Sequence, residues 1–171
     1  MTAPLTPIER RRIKEARLTA EAVRAALHYD PATGVFTRRV FNGRKTGSIT
    51  PLGYTRIVVN GFGYGAHRLA FLYVHGRWPT HHLDHINCDP ADNRISNLRE
   101  ASNIQNRANA RPEKGRLLKG VTLCKGRWQA QIKHLGQNHY LGRFDTAEEA
   151  NAAYAAKAAE FHGEFARSSA A

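Results

Sequence analysis

The chain has 171 residues, of which 42% are hydrophobic and 23% charged, the composition of a folded protein with room for one ordinary domain or two small ones sharing a core. Its formal net charge of +12 is spread along the chain: residues 1–66 carry 11 Lys and Arg against 4 Asp and Glu, residues 67–111 carry 6 against 4, and residues 112–171 carry 9 against 6. A basic excess in every segment excludes a single detachable tail as its source. It points to a polyanionic partner, above all nucleic acid, because neutralising phosphates releases condensed counterions. The two cysteines, Cys88 and Cys124, make neither a disulfide framework nor a paired metal motif, and suit a reducing cytoplasm. No run of 18 apolar residues occurs and no apolar stretch follows the arginine triplet at 10–12, so neither secretion nor membrane spanning is expected.

In chain order, residues 1–28 form a basic segment in which Ile13, Leu18, Val23 and Leu27 predict a helix over 6–28, capped by Thr6 with Glu9 three residues on. Residues 29–66 change to turn chemistry and alternation: YDPATG, FNGRKTG and TPLGY separate β-prone pieces such as GVFTRRV and YTRIVVN, which predict small antiparallel hairpins. Gly61, Gly63 and Gly65 precede no phosphate-binding helix pattern and are assigned to turns. AHRLAFLYVHG then places Leu69, Leu72 and Tyr73 on one side of a helix that Gly76 ends, with Pro79 soon after. Residues 67–111 hold the chemistry-bearing core, and residues 112–118 read as a linker. Residues 119–166 contain three strand-like pieces, GVTLCK, RWQAQIK and NHYLGRF, and one alanine-rich helix capped by Thr146 with Glu149. The expected fold class is α+β.

Cleaving a phosphodiester with metal assistance needs a base for water, a hard cation for the phosphoryl charge, and oxygen ligands for that cation. Asp84, His85 and Asn106 can supply these. Consecutive residues on a strand face opposite ways, so a twist or bulge must bring the Asp84 carboxylate to the metal and the His85 imidazole to the water. Ser102 can cap the helix SNIQNRANA, placing Asn106 one turn in. His81 and His82 could join His85 in a zinc site, but no fourth ligand stands at ordinary spacing.

LDHIN, then DNRISNLR, then IQNRAN resembles the ββα-metal fold of the HNH endonucleases, especially the phage and intron homing enzymes, and HRLA at 67–70 resembles the segment that precedes the motif. His85 and Asn106 stand 21 residues apart, as in that subfamily. The resemblance implies His85 as general base, Asp84 and Asn106 as metal ligands, and Asn97 as the residue that ties the loop across the hairpin. Asn93 shapes the loop. His67 either supports the site or contacts a phosphate, or is a structural histidine at a helix start; Arg99 and Arg107 either hold phosphates or are solvated. Cys88 replaces the glycine usual in the family's loop, and the paired CxxC motifs of the family's zinc-bearing subtype are absent from the sequence. Two protein ligands leave places for water and phosphate oxygens, which suits Mg²⁺ or Mn²⁺. The implied reaction is hydrolysis leaving a 5′-phosphate and a 3′-hydroxyl.

In RWQAQIK, Trp128, Ala130 and Ile132 alternate with Gln129, Gln131 and Lys133, giving one oily and one polar sheet face. The helix at 147–162 offers Ala150, Ala153, Tyr154 and Ala158 to cover the oily face, and the free polar face has the shape for a major groove. Residues 119–166 resemble the Apetala-type (ethylene-response-factor) DNA-binding domain, most specifically at YLGRFDTAEEANAAY. By that resemblance Lys119, Thr122, Gln131, Lys133, Tyr140 and Arg143 meet DNA, Gln129 shares their face, and Asn138 stands where the plant domains often use arginine.

Together these readings predict a metal-dependent endonuclease of the homing type acting on double-stranded DNA. It would nick as a monomer, or cut both strands as a homodimer, in the cytoplasm, that of a bacterial host if phage-encoded. No small-molecule substrate and no membrane partner is expected. The competing reading is a non-cutting DNA-binding regulator that keeps the nuclease fold as a scaffold. An RNA-binding protein is disfavoured for want of an RNP-like strand or a KH-type GxxG loop.

Overall fold

The computed structural model of the chain describes residues 4–40, 44–112 and 118–167. The turn expected at FNGRKTG and the linker expected over 112–118 therefore lie partly outside the described residues. The chain divides into two compact units, Met1–Glu100 and Ala101–Ala171.

In the first unit, α1 (Pro7–Glu15) starts on a capping box: the Glu9 amide donates to Thr6 Oγ1 at 3.2 Å and the Thr6 amide donates back to Glu9 Oε2 at 2.7 Å. The single helix expected over 6–28 is in fact two. Leu18, 3% exposed, turns into the core, and Thr19 caps a new helix, α2 (Ala20–Ala26), by accepting from the Ala22 amide at 3.2 Å. The chain then becomes extended as β1 (Leu27–Asp30), which pairs antiparallel with β2 (Val35–Arg38) across the YDPATG turn. Asp30 builds that turn, accepting from the Ala32 amide and the Thr33 hydroxyl.

A three-stranded sheet follows, of β3 (Ser48–Ile49), β4 (Thr55–Val59) and β5 (Phe62–Gly65) in that order. The β4–β5 hairpin closes on Asn60 and Gly61, both at positive φ, as a two-residue turn of the right twist requires. Of the three glycines read as turn residues, only Gly61 is in the turn; Gly63 and Gly65 lie in β5. Helix α3 (Ala66–His75) follows directly and stops at Gly76, which takes the left-handed conformation. Leu69 and Leu72 of α3 are buried with Val23, Leu27, Ile57 and Val59, so the unit's core lies between α2, α3 and the hairpin strands. The unit closes with β6 (His82–His85), a polar loop, a 3₁₀ turn at Ile95–Asn97, and β7 (Leu98–Ala101), which pairs with β6.

The second unit begins at the end of β7 with α4 (Asn103–Asn109), capped by Ser102 and Gln105. A three-stranded antiparallel sheet of β8 (Val121–Cys124), β9 (Arg127–His134) and β10 (Gln137–Phe144), with β9 central, packs on α5 (Ala147–His162). Ala130 and Ile132 of β9 meet Ala150, Tyr154 and Ala158 of α5 in this unit's core. The small alanines let helix and sheet lie close, and Gly120 has no room for a β-carbon, which would fall 2.3 Å from the Tyr154 ring. Ala108 of α4 packs with Ala101 and Phe165, so α4 is compact with this unit although it follows β7 in the sequence. The whole is an α+β protein.

Candidate nuclease site

Strand β6 carries Asp84 and His85, both buried at 4% and 7% exposure. They stand in different surroundings, as neighbours on a strand do. Asp84 Oδ2 accepts from Arg99 Nε of β7 at 3.0 Å, in an ion pair shielded on both sides. The His85 ring is edge-on to His67 of α3 at 5.4 Å between centroids and lies 5.9 Å from the Tyr54 ring, while Tyr54 and His67 are 5.6 Å apart.

Burial pushes the His85 pKa below the ordinary histidine value, against the opposing effects of the nearby Asn93 side chain and the charges of Asp84, Asp89 and Asp92. The imidazole is therefore neutral near pH 7 and able to accept a proton. His67 is pushed further, to about 3, first by burial and then by the charges of His85, Arg68 and Arg11. It is neutral at any working pH. Its ring is wedged against β5, where a β-carbon on Gly65 would come within 2.7 Å of it.

The loop between β6 and β7 is tied by Asn97, 7% exposed. Its Oδ1 accepts from the Asn87 amide at 3.0 Å, and its Nδ2 donates to Asn87 Oδ1 at 3.0 Å and to the Asp92 carbonyl at 2.9 Å. Asn93, 3% exposed, donates to the Ala91 carbonyl at 2.9 Å. The hairpins hold the loop from outside: Tyr29 Oη donates to the Asn93 carbonyl at 2.8 Å, and a β-carbon on Gly34, at φ +71°, would strike the Asn93–Arg94 peptide. Cys88, at φ +57°, donates its amide to the His85 carbonyl, so the position where the resembling family has glycine is in the left-handed region that glycine occupies freely. Glu100 fastens the approach to β6, accepting from the Thr80 amide at 2.6 Å and hydroxyl at 3.0 Å and from Arg77 at 2.7 Å.

The first unit thus brings together His67, Asp84, His85, Asn93, Asn97 and Arg99. Asn106 and Arg107 lie on α4 of the second unit, Asn106 half-buried and Arg107 exposed. Two partners were not foreseen. Tyr54, read only as part of the TPLGY turn and the β-prone YTRIVVN, lies beside the His85 ring, and Arg99, read as a phosphate holder or a solvated residue, pairs with the Asp84 carboxylate.

Among the described residues no three His, Cys, Asp or Glu side chains gather as a metal-holding group. A cation bound here would be held by few side chains of these types, and water or phosphate oxygens would have to supply further ligands. The buried Asp84 carboxylate fits a hard divalent ion as an oxygen donor, and its pairing with Arg99 holds one of its oxygens in place.

In the second unit, cross-strand register sets Thr122, Gln129 and Arg143 side by side, then Gln131 beside Tyr140, then Lys133 beside Asn138. All but the half-buried Gln129 are exposed, and a bulge between Tyr140 and Gly142 twists this surface. Lys119 is engaged otherwise: its Nζ donates to the carbonyls of Arg107, Ala108 and Ala110 at the C-terminus of α4, at 2.8, 2.5 and 3.0 Å.

The site thus sets a histidine with a lowered pKa next in sequence to a buried carboxylate, below an asparagine-tied loop on paired strands. Residues 64–113, from the end of the β4–β5 hairpin through α4, match the model of a family described as HNH endonuclease, a segment well under half the chain's length, and this similarity supports a nuclease. HNH nucleases generally use divalent metal ions and act on nucleic acid. No curated protein and no solved structure matches the chain. No helix among the described residues is long and apolar enough to cross a membrane.

Proposed function

We propose that the protein is a DNA endonuclease of the homing type, hydrolysing one phosphodiester bond per site and nicking as a monomer, with its C-terminal sheet reading DNA. The observation that carries this reading is the buried Asp84–His85 pair within the segment that matches the HNH family. His85 acts as general base, taking a proton from the attacking water; burial keeps its ring neutral for that role. Asp84 and Asn106 would hold Mg²⁺ or Mn²⁺, which when bound supplies charge stabilisation at the phosphoryl and leaving oxygens. His67 and Tyr54 flank the His85 ring and fix its plane. Asn97 and Asn93 hold the loop, and Arg99 orients the Asp84 carboxylate.

The second unit would address the nuclease to its site. Gln131, Lys133, Asn138, Tyr140 and Arg143 form a polar, basic, exposed sheet surface, backed by Thr122 and Gln129, and are the proposed DNA contacts. Lys119 acts there as a cap on α4, and Arg107 remains available to a phosphate.

The test is incubation with supercoiled plasmid and Mg²⁺ against an EDTA control. Relaxed circles with Mg²⁺, none with EDTA and none from His85→Ala are the expected results, with DNA binding by His85→Ala within a few-fold of the parent. Nicking by His85→Ala at the parent rate would remove His85 as base. Binding without any cutting would instead favour a DNA-binding regulator built on the nuclease scaffold.

A further inference from the structure

Helix α1 is fixed to the nuclease unit at several points. Glu15 takes a two-pronged ion pair from Arg68 at 2.6 and 3.0 Å, its carbonyl accepts from Trp78 Nε1 at 2.8 Å, and Lys14 Nζ donates to the Gly63 carbonyl at 2.7 Å. Between α1 and the loop leading into β6 lies a cleft of about 340 Å³, lined by Arg11, Arg12, Glu15, Arg68, Trp78 and Thr80 among others.

The cleft is short of negative charge. Glu15 is taken up by Arg68, whose remaining N–H groups reach the carbonyls of Pro79 and His81 at 3.3 and 3.5 Å. Arg11 and Arg12 close no ion pair among the described residues, feeling Glu15 and Glu9 only at longer range, and Arg11 Nε is buried with no acceptor there. Burial and the charge of Arg68 hold the Arg11 guanidinium below its ordinary pKa, and Arg11 and Arg68 together depress His67, the neighbour of His85. A buried donor with nothing to bond is destabilising unless a ligand supplies the acceptor.

We propose that this cleft seats a DNA backbone phosphate flanking the bond at the His85 site, with Arg11 and Arg12 as its donors. A guanidinium presents a planar fork that matches two phosphate oxygens, and a helix held by these four hydrogen bonds presents it already in place. The inference rests on the nuclease reading and adds a phosphate contact from an N-terminal segment that lies outside the HNH match. It assigns that contact to positioning and affinity, since a phosphate carries no sequence information.

The experiment measures binding of the full-length protein to a duplex in EDTA across a series of NaCl concentrations, for the parent, Arg11→Gln, Arg12→Gln, Arg11→Lys and, as a control away from the cleft, Arg17→Gln. Arg11→Gln and Arg12→Gln should each bind every sequence several-fold more weakly at fixed salt, and each should flatten the slope of log K against log salt by about 0.9. Arg11→Lys should keep the slope and recover part of the affinity, and Arg17→Gln should leave both unchanged. Slopes equal to the parent's in both glutamine variants, with unaltered melting temperatures, would overturn the proposal. Should Arg11→Gln fail to fold, the exposed Arg12 decides the matter alone. Plasmid nicking, measured in parallel, separates the two ideas. A parent that nicks while the variants keep its slope loses the phosphate seat only, and flattened slopes without nicking retain the seat and sink the cutting.

Discussion

Replacing Asn97 by alanine tests whether the loop over the site is held by one side chain. The substitution removes an acceptor for the Asn87 amide and donors to the Asn87 side chain and the Asp92 carbonyl, in a residue 7% exposed. Asn87 is exposed and water can replace its partners, so the Asp92 carbonyl and the vacated volume carry most of the loss. Leaving one buried polar group unsatisfied costs about 1–3 kcal/mol, and about 2 kcal/mol is expected here. With a urea slope of about 2 kcal/mol per molar, the unfolding midpoint should fall by about 1 M. Asn97→Asp keeps the acceptor for Asn87 but loses the donors, and should fall between parent and alanine variant. Nicking should decline in the same order. An alanine variant with the parent's urea midpoint and no nicking would refute the reasoning and make Asn97 a substrate contact.

Asp84→Ala and Asn106→Ala should each raise the Mg²⁺ concentration for half-maximal nicking, and Asp84→Ala should also melt lower because it removes the carboxylate that Arg99 pairs with; unchanged metal titrations in both would end their assignment as ligands. Gln131→Ala should relax discrimination at one or two base pairs by about 1–3 kcal/mol in a randomised-site library, whereas Lys133→Ala should weaken all sequences alike and flatten the salt dependence; identical profiles for the two would argue against a reading face. Cys88→Gly should raise stability by about 0.5–1 kcal/mol, since relief of the left-handed strain at φ +57° exceeds the entropy a glycine adds to the unfolded chain, and a lower melting temperature would contradict that. Hydrogen bonds from Arg77, Thr80 and His81 hold Glu100 at a pKa of about 2 against an ordinary 4.5. A lowered folded-state value means stability that is full above the unfolded value and is lost as pH falls toward 2. Allowing for a side chain 23% exposed, this amounts to about 1–3 kcal/mol. Glu100→Gln should be less stable than the parent at pH 7 and converge with it near pH 2, and a gap constant with pH would refute the linkage.

What the sequence alone determined acts over a few residues. The capping pairs Thr6–Glu9 and Thr146–Glu149, the Ser102 cap, the stop at Gly76 and the alternation of Trp128, Ala130 and Ile132 with polar neighbours all depend on groups within one turn or one pleat, and each is present in the structure. The 21-residue spacing of His85 and Asn106 is likewise a matter of counting. Tertiary structure decided the rest. The break between α1 and α2 follows from Leu18 finding the core, which helical spacing alone does not reveal. The division between compact units falls at Glu100 and Ala101 and not at the polar stretch 112–118, because Ala108 of α4 packs with Phe165. Tyr54 beside His85, Arg99 on Asp84, Tyr29 bracing the Asn93 carbonyl and Glu15 neutralising Arg68 join residues 15 to 64 positions apart. Such partners meet only after the chain has closed those loops on a common core. Their identities are invisible to local propensity, which has no knowledge of which buried charge or orphaned carbonyl the fold will bring opposite them.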